Sequence, residues 1–276
     1  VKDAIIKSLH HQGTVHINMP FSEPFYGYTT EKLIDFENIS IPARTYPEID
    51  TLNFAREWNK AEKKIVLVGL QSADENFQKL LEDLANDPSV VVLTELTSNV
   101  HHSKFINKID QVIFSLSDDE LENLTPEILL TIGQNIVSKK IKAFFRNHPT
   151  AQHWHLDEHW HPDTFQVLTH KIETAKIDFL TEFNSLVNPK SSNYYEQWDK
   201  LRISKEEKHQ EFLAKTNYSD LKVFEKIIPT YPEKAIIHYG NSTVIRYALL
   251  FDHKSSNEFY CNRGTSGIDG STSTAV

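Results

Sequence analysis

The chain has 276 residues, 39% of them hydrophobic and 24% charged, with 29 Lys and Arg against 38 Asp and Glu for a formal charge of −9. That composition supports a packed core, excludes a disordered chain and argues against a whole-chain nucleic-acid or anionic-membrane binder, leaving a local basic pocket open. The one cysteine, Cys261, excludes an internal disulfide framework and any Cys-rich zinc or iron–sulfur site, and no apolar run reaches the roughly 18–20 residues of a membrane span.

Residues 1–10 read as the last turns of a helix, with Ala4, Ile5 and Leu9 on one face. Residues 14–19 alternate between Gly13 and Pro20 and predict a strand. Pro20, Pro24, Pro42 and Pro47 then mark an extended connector. From residue 51 a repeating pattern begins. Helices are predicted over 51–63, 76–87 and 138–148, and strands over 64–70, 89–95, 111–116, 127–133 and 151–157. A helical stretch follows over about 171–230, interrupted by Pro189. After Pro229 and Pro232 the pattern restarts as strand 234–239, helix 241–251, strand 258–262 and a glycine-rich loop. Short apolar strands alternating with helices imply a parallel sheet with helices on both faces, a Rossmann-like α/β fold. The opening Val1, the small polar end at 271–276 and the late glycines Gly240, Gly264, Gly267 and Gly270 suggest a piece of a longer protein. A natural chain that has lost its Met is the alternative. The overall class expected is a soluble cytoplasmic protein of a reducing compartment.

Few motifs carry chemistry. The first strand of the repeating pattern ends in Gly69 alone, without the G-x-G-x-x-G needed to cradle a dinucleotide, and no P-loop occurs. His153, His155, His159 and His161 could suggest a metal, since imidazoles at i, i+2 share a strand face. With no Cys and no fixed third ligand, the stronger reading is of solvated or aromatic-packing side chains on an exposed strand and turn. Cys261, at a strand end, reads as a small structural hydrophobe.

The last strand–helix–strand is more informative. Gly240 ends a strand, and Asn241 or Ser242 caps the next helix. Ser242 and Arg246 are four apart, so they share a helix face, and Arg263 leaves the next strand at the same sheet edge. Two arginines and a serine suit a small dicarboxylate. Spacing alone leaves ordinary surface ion pairs as the alternative. Ser138-Lys139-Lys140 opens a helix, where lysines are mildly unfavourable for the dipole unless an anion is near.

Residues 14–26, 240–247 (GNSTVIRY) and 262–275 (NRGTSGIDGSTSTA), with the stretch PEILLTIGQNIVSKKIKAFF, resemble the family of menaquinone-pathway 2-succinyl-5-enolpyruvyl-6-hydroxy-3-cyclohexene-1-carboxylate (SEPHCHC) synthases. The resemblance is patchy over 27–125 and 150–230, but its segments keep the family order. It implies a thiamine-diphosphate (ThDP) and Mg2+ transferase of three α/β domains, a homodimer or homotetramer in full. Such an enzyme decarboxylates 2-oxoglutarate and adds the succinyl-semialdehyde carbanion to isochorismate. The chain would hold the end of the pyrimidine-binding domain (1–28), a linker (29–50), the middle domain (51–232) and the start of the pyrophosphate-binding domain (233–276). By resemblance, Ser242, Arg246 and Arg263 would hold the 2-oxoglutarate carboxylate, and Lys139 would approach isochorismate. Lys140 departs from the family Arg. Ser266 and Gly267 would meet the aminopyrimidine edge, and Ile268 would prop the bent cofactor. The catalytic Glu would lie upstream of residue 1 and the metal-binding stretch beyond residue 276. The fragment alone would then be inactive, with neither ThDP nor metal bound. Two alternatives stand beside this: a non-catalytic scaffold or regulatory-ligand domain, and another ThDP decarboxylase such as the acetolactate synthase group. The second would explain the domain order but not Arg246 and Arg263 together.

Overall fold

In the computed structural model the described residues are 1–11, 13–22, 27, 40–43, 45–263 and 267–275. The chain divides into two compact units, Val1–Pro47 and Glu48–Val276. The first carries helix α1 (Lys2–His11). Ser8 Oγ donates to Gly13 O at 2.7 Å, and His10 Nε2 lies 3.0 Å from Pro42 O. Residues 14–19, expected as a strand, belong to no sheet. Alternation encodes a face, not the partner strand that must supply the hydrogen bonds.

The second unit is built on a five-stranded parallel sheet of β1 (Lys64–Val68), β2 (Val90–Thr94), β3 (Ile128–Ile132), β4 (Gln152–Asp157) and β5 (His170–Glu173), in the order β2-β1-β3-β4-β5. Every residue of β1, β2 and β3 is buried, as a parallel sheet covered on both faces requires. Alternate residues feed two cores. On one face Val66, Val92, Leu130 and Trp154 meet helices α2 (Thr51–Lys60) and α3 (Glu75–Leu84), with a further helix from residues 176–186. On the other, Ile65, Leu67, Val91 and Leu129 meet the short helix α4 (Ile109–Ile113). After α5 (Asp118–Leu124) comes α6 (Lys139–Asn147), which adds Ile141, Phe144 and Phe145 to the second core. The helices α7 (Lys176–Leu186), α8 (Tyr194–Lys215) and α9 (Asp220–Ile227) complete the layers.

Two expectations fail in this unit. Residues 111–116 are not a strand: Ile109, Val112 and Ile113 share the buried face of α4. A short apolar run cannot by itself tell the two apart. Residues 170–173 are strand rather than helix. In this edge strand only Ile172 is buried, so it carries no apolar run to read.

A second, two-stranded parallel sheet pairs β6 (Ile236–Tyr239) with β7 (Glu258–Cys261), joined through α10 (Thr243–Ala248). Its residues Tyr239, Ile245, Leu249 and Phe259 pack with Leu96 and Val137, which lie beyond the carboxyl ends of β2 and β3. The small lobe therefore sits on the sheet edge where α/β proteins place ligands.

Candidate functional site

The crevice between β1 and β3, where the strand order reverses, is closed by backbone. Gly69 N donates to Ile132 O at 2.8 Å, and Gln134 N donates to Leu70 O at 2.9 Å. A Cβ on Gly69 would lie 2.2 Å from Gln134 O, so only glycine allows this approach. The single glycine thus serves strand-end packing rather than a pyrophosphate.

The histidine segment is also structural. His153 and His155 are 1% and 4% exposed, not solvated as one reading expected, because β4 lies between β3 and β5 and Phe165 covers it. Thr131 Oγ1 lies 2.9 Å from His153 Nε2 and 2.7 Å from His155 Nδ1. Burial pushes both imidazoles down to about 4, so both are neutral. The cleft beside them offers about 20 Å³, room for a water-sized group and not for a substrate. Among the described residues, no three His, Cys, Asp or Glu side chains gather as metal ligands.

Charge concentrates instead where the small lobe meets β2 and α6. Glu95 follows β2 and is 3% exposed. Its two carboxylate oxygens accept from Val137 N and Ser138 N, each at 2.6 Å. Burial pushes this carboxyl up to about 7, opposed by those two backbone hydrogen bonds. Ser138 caps α6 by accepting from Ile141 N at 2.9 Å and donates its hydroxyl to Asp110. The Asp110 carboxyl is raised by burial, against the Ser138 hydrogen bond and the charges of Lys140 and Arg246. The Lys142 ammonium is held below its usual range by burial and by the nearby cations Arg263, Arg146 and Lys139, with Glu95 acting in the opposite sense. A buried carboxyl, Glu95, and a half-buried one, Asp110, therefore sit among cations drawn from α6 and from the small lobe.

The expected site residues fall around this cluster. Ser242 is exposed and stands at the N-cap position of α10, as expected, with φ 68° and ψ −126°, but its hydroxyl makes no cap hydrogen bond. A non-glycine residue in that region is strained. Arg246 lies one turn on, beside Asp110, and Arg263 Nη1 donates to Asn241 Oδ1 at 3.1 Å. The Nε atoms of both arginines are buried without a hydrogen-bond partner among the described residues. Lys139 is exposed at the first turn of α6, while the Lys140 ammonium lies 4.6 Å from the centre of the Phe114 ring. Gly267 and Ile268 are exposed, and Ser266 lies outside the described residues. Cys261 is buried and donates to Asn241 Oδ1 at 3.2 Å, and burial pushes its thiol up.

Sequence reasoning missed three organising residues. Asn241, read only as a possible cap, accepts from Arg263 and Cys261 and donates to Gly267 O at 2.5 Å and to Asn262 O. Asn135 Nδ2 donates to Arg263 O at 3.2 Å. Glu95 carried a readable signal: a lone acidic residue closing a mostly apolar strand.

The fold and this cluster define a parallel α/β protein with cations and carboxyls gathered at the carboxyl edge of its sheet. No protein-family model matches the chain. Its sequence is similar throughout to named 2-succinyl-5-enolpyruvyl-6-hydroxy-3-cyclohexene-1-carboxylate synthases. It is 43% identical to that of Flavobacterium psychrophilum over 281 residues, covering 100% of this chain and 50% of the relative. With that of Christiangramia forsetii the identity is 43% over 99% of this chain and 48% of the relative. With that of Flavobacterium johnsoniae it is 39% over 100% of this chain and 50% of the relative. The chain is thus similar along its whole length to SEPHCHC synthases, and it spans about half the length of the curated relatives it matches.

Proposed function

We propose that this chain is the central part of a SEPHCHC synthase, and that its small lobe and α6 supply the carboxylate-binding side of the active site. In this reading residues 51–232 are the middle domain, flanked by the end of the pyrimidine-binding domain at 1–28 and the start of the pyrophosphate-binding domain at 233–276. The carrying observation is the pair of arginines, each with a buried, unpartnered Nε at the edge of the β6–β7 sheet. An unsatisfied buried donor costs about 1–3 kcal/mol, and more when charged. A carboxylate arriving there relieves that cost on both side chains. The reaction joins 2-oxoglutarate to isochorismate, both dianions, so cations on two elements have a use. Ser242, Arg246 and Arg263 bind and orient the 2-oxoglutarate carboxylate. Lys139 takes a carboxylate of isochorismate.

ThDP, when bound, supplies the carbon nucleophile and electron sink that this decarboxylation and carbon–carbon bond formation require. The chain's residues fit one side of it. A cleft of about 320 Å³ lies beside β6 and β7, lined by Gly240, Asn262, Ser271 and Thr272. Ile268 is 72% exposed in the adjoining loop, where it could prop a flat ring. The described residues offer no three-ligand set for the metal, so no step here runs through it. The activity is assigned to the intact protein. This chain by itself is expected to bind carboxylates without turnover.

The test is kinetic, in the intact protein. Arg246→Ala and Arg263→Ala should each raise KM for 2-oxoglutarate at least tenfold, equivalent to about 1.4 kcal/mol. An unchanged KM in both variants removes the reading. A second reading, in which the five-stranded sheet is a scaffold without a ligand of its own, is favoured by the closed β1/β3 crevice and is compatible with the first.

A further inference from the structure

We propose that Glu95 is a positioning residue: it fixes the Ser138-Lys139-Lys140 segment against the small lobe and so sets where Lys139 meets its carboxylate. The inference rests on the synthase reading and names a residue that reading does not use.

Both ends of Glu95 are fixed. Its backbone N–H donates to Ser98 Oγ at 2.9 Å, and that hydroxyl donates to Val68 O at 2.6 Å, tying the end of β2 to the end of β1. Its side chain then spans to the loop before α6 and takes the amides of Val137 and Ser138 with one oxygen each. Two short bonds to consecutive amides fix the backbone around Val137 in orientation as well as position. The next residue along is Lys139.

The same contact reaches the lobe. The Val137 side chain packs in one cluster with Tyr239, Ile245 and Phe259, the core of the small lobe. Asp110 stands beside Glu95 and continues the linkage: it takes the Ser138 hydroxyl and faces Lys140 and Arg246. Moving the 137–138 peptide would therefore shift Lys139 relative to Arg246 and Arg263, the two halves of the carboxylate-binding surface. The two amides just before α6 are thus taken by the chain's own carboxylate, and the Ile141 amide by the Ser138 hydroxyl.

Glutamine at 95 can accept from one amide only and presents an N–H₂ to the other. Aspartate keeps the charge but withdraws it by one methylene. In the intact protein, Glu95→Gln is expected to raise KM for isochorismate about tenfold while KM for 2-oxoglutarate stays within twofold. Glu95→Asp should act in the same direction by a smaller factor, and either folded variant suffices for the test. Lys139→Ala is measured alongside. A rise in isochorismate KM for Lys139→Ala but none for Glu95→Gln or Glu95→Asp overturns this inference alone. No rise for Lys139→Ala overturns the assignment of Lys139 itself. Equal losses for both substrates in the Glu95 variants would mark a merely structural role and also overturn the proposal.

Discussion

At the scale of single residues, Thr131 Oγ1 serves two buried imidazoles, and pH is the variable that exposes it. His153 and His155 are held neutral with pKa values of about 4, against about 6.5 in an unfolded chain. Between those values the unfolded chain binds more protons than the folded one, so stability is full above about pH 6.5 and falls as the pH drops toward 4. The loss is on the order of 3 kcal/mol per histidine. Glu95 slopes the other way. Its carboxyl is raised to about 7, so its contribution is present below the ordinary carboxylate pKa and is lost as the pH rises toward 7. Urea unfolding at pH 7, 5.5 and 4.5 should show the histidine slope, flattened in a His153→Leu/His155→Leu variant. Identical slopes in both proteins would rule out this origin. At pH 7, Thr131→Val keeps the shape but strands both rings, and should cost about 1–3 kcal/mol in the same assay.

At the scale of elements, what the sequence made legible is what local chemistry determines. The apolar runs behind β1, β2, β3 and β4, the Ser138 cap of α6 and the strand–helix–strand of the small lobe all announce themselves in short windows. What stayed hidden depends on partners distant in sequence: the helical state of α4, the one buried residue of β5, and the burial of His153 and His155. The site divides along the same line. Arg246, Arg263 and Lys139 could be named from spacing and resemblance, but the roles of Asn241 and Glu95 exist only through contacts across 22 and 43 residues. Gly69 shows the difference within one element. Its sequence setting raises the question of a nucleotide, and its surroundings answer with packing. Gly69→Ala should destabilise the chain by about 1–3 kcal/mol or more, since the new methyl meets backbone that cannot rotate away. A thermal midpoint unchanged from wild type would mean that the β1 and β3 loops separate without cost.

At the scale of the whole second unit, the small lobe must be held on the sheet edge for its arginines to face α6. A two-stranded sheet is marginal alone, so the attachment has to come from elsewhere. One residue supplies much of it. Asn99, in the left-handed conformation at φ 50°, accepts from Phe259 N at 2.7 Å and donates to Phe259 O at 3.0 Å, pairing with β7 as another strand would. The same amide donates to Gln71 O at 2.8 Å, so the lobe is tied to the loop after β1. Lys108 adds an outer clasp, bonding both Glu206 of α8 and Asp252 at 2.8 Å. Asp252 is largely exposed, so that arm is screened by solvent and contributes little. Asn99→Ala would leave both polar groups of Phe259 buried without their partner, a loss of roughly 2 kcal/mol or more. Hydrogen exchange of β7 amides should then accelerate about 30-fold while that of β1 and β3 is unchanged. Uniform acceleration across both sheets would show that the lobe and the five-stranded sheet open together. The arginines and α6 would then be held in register by the whole unit rather than by this one amide.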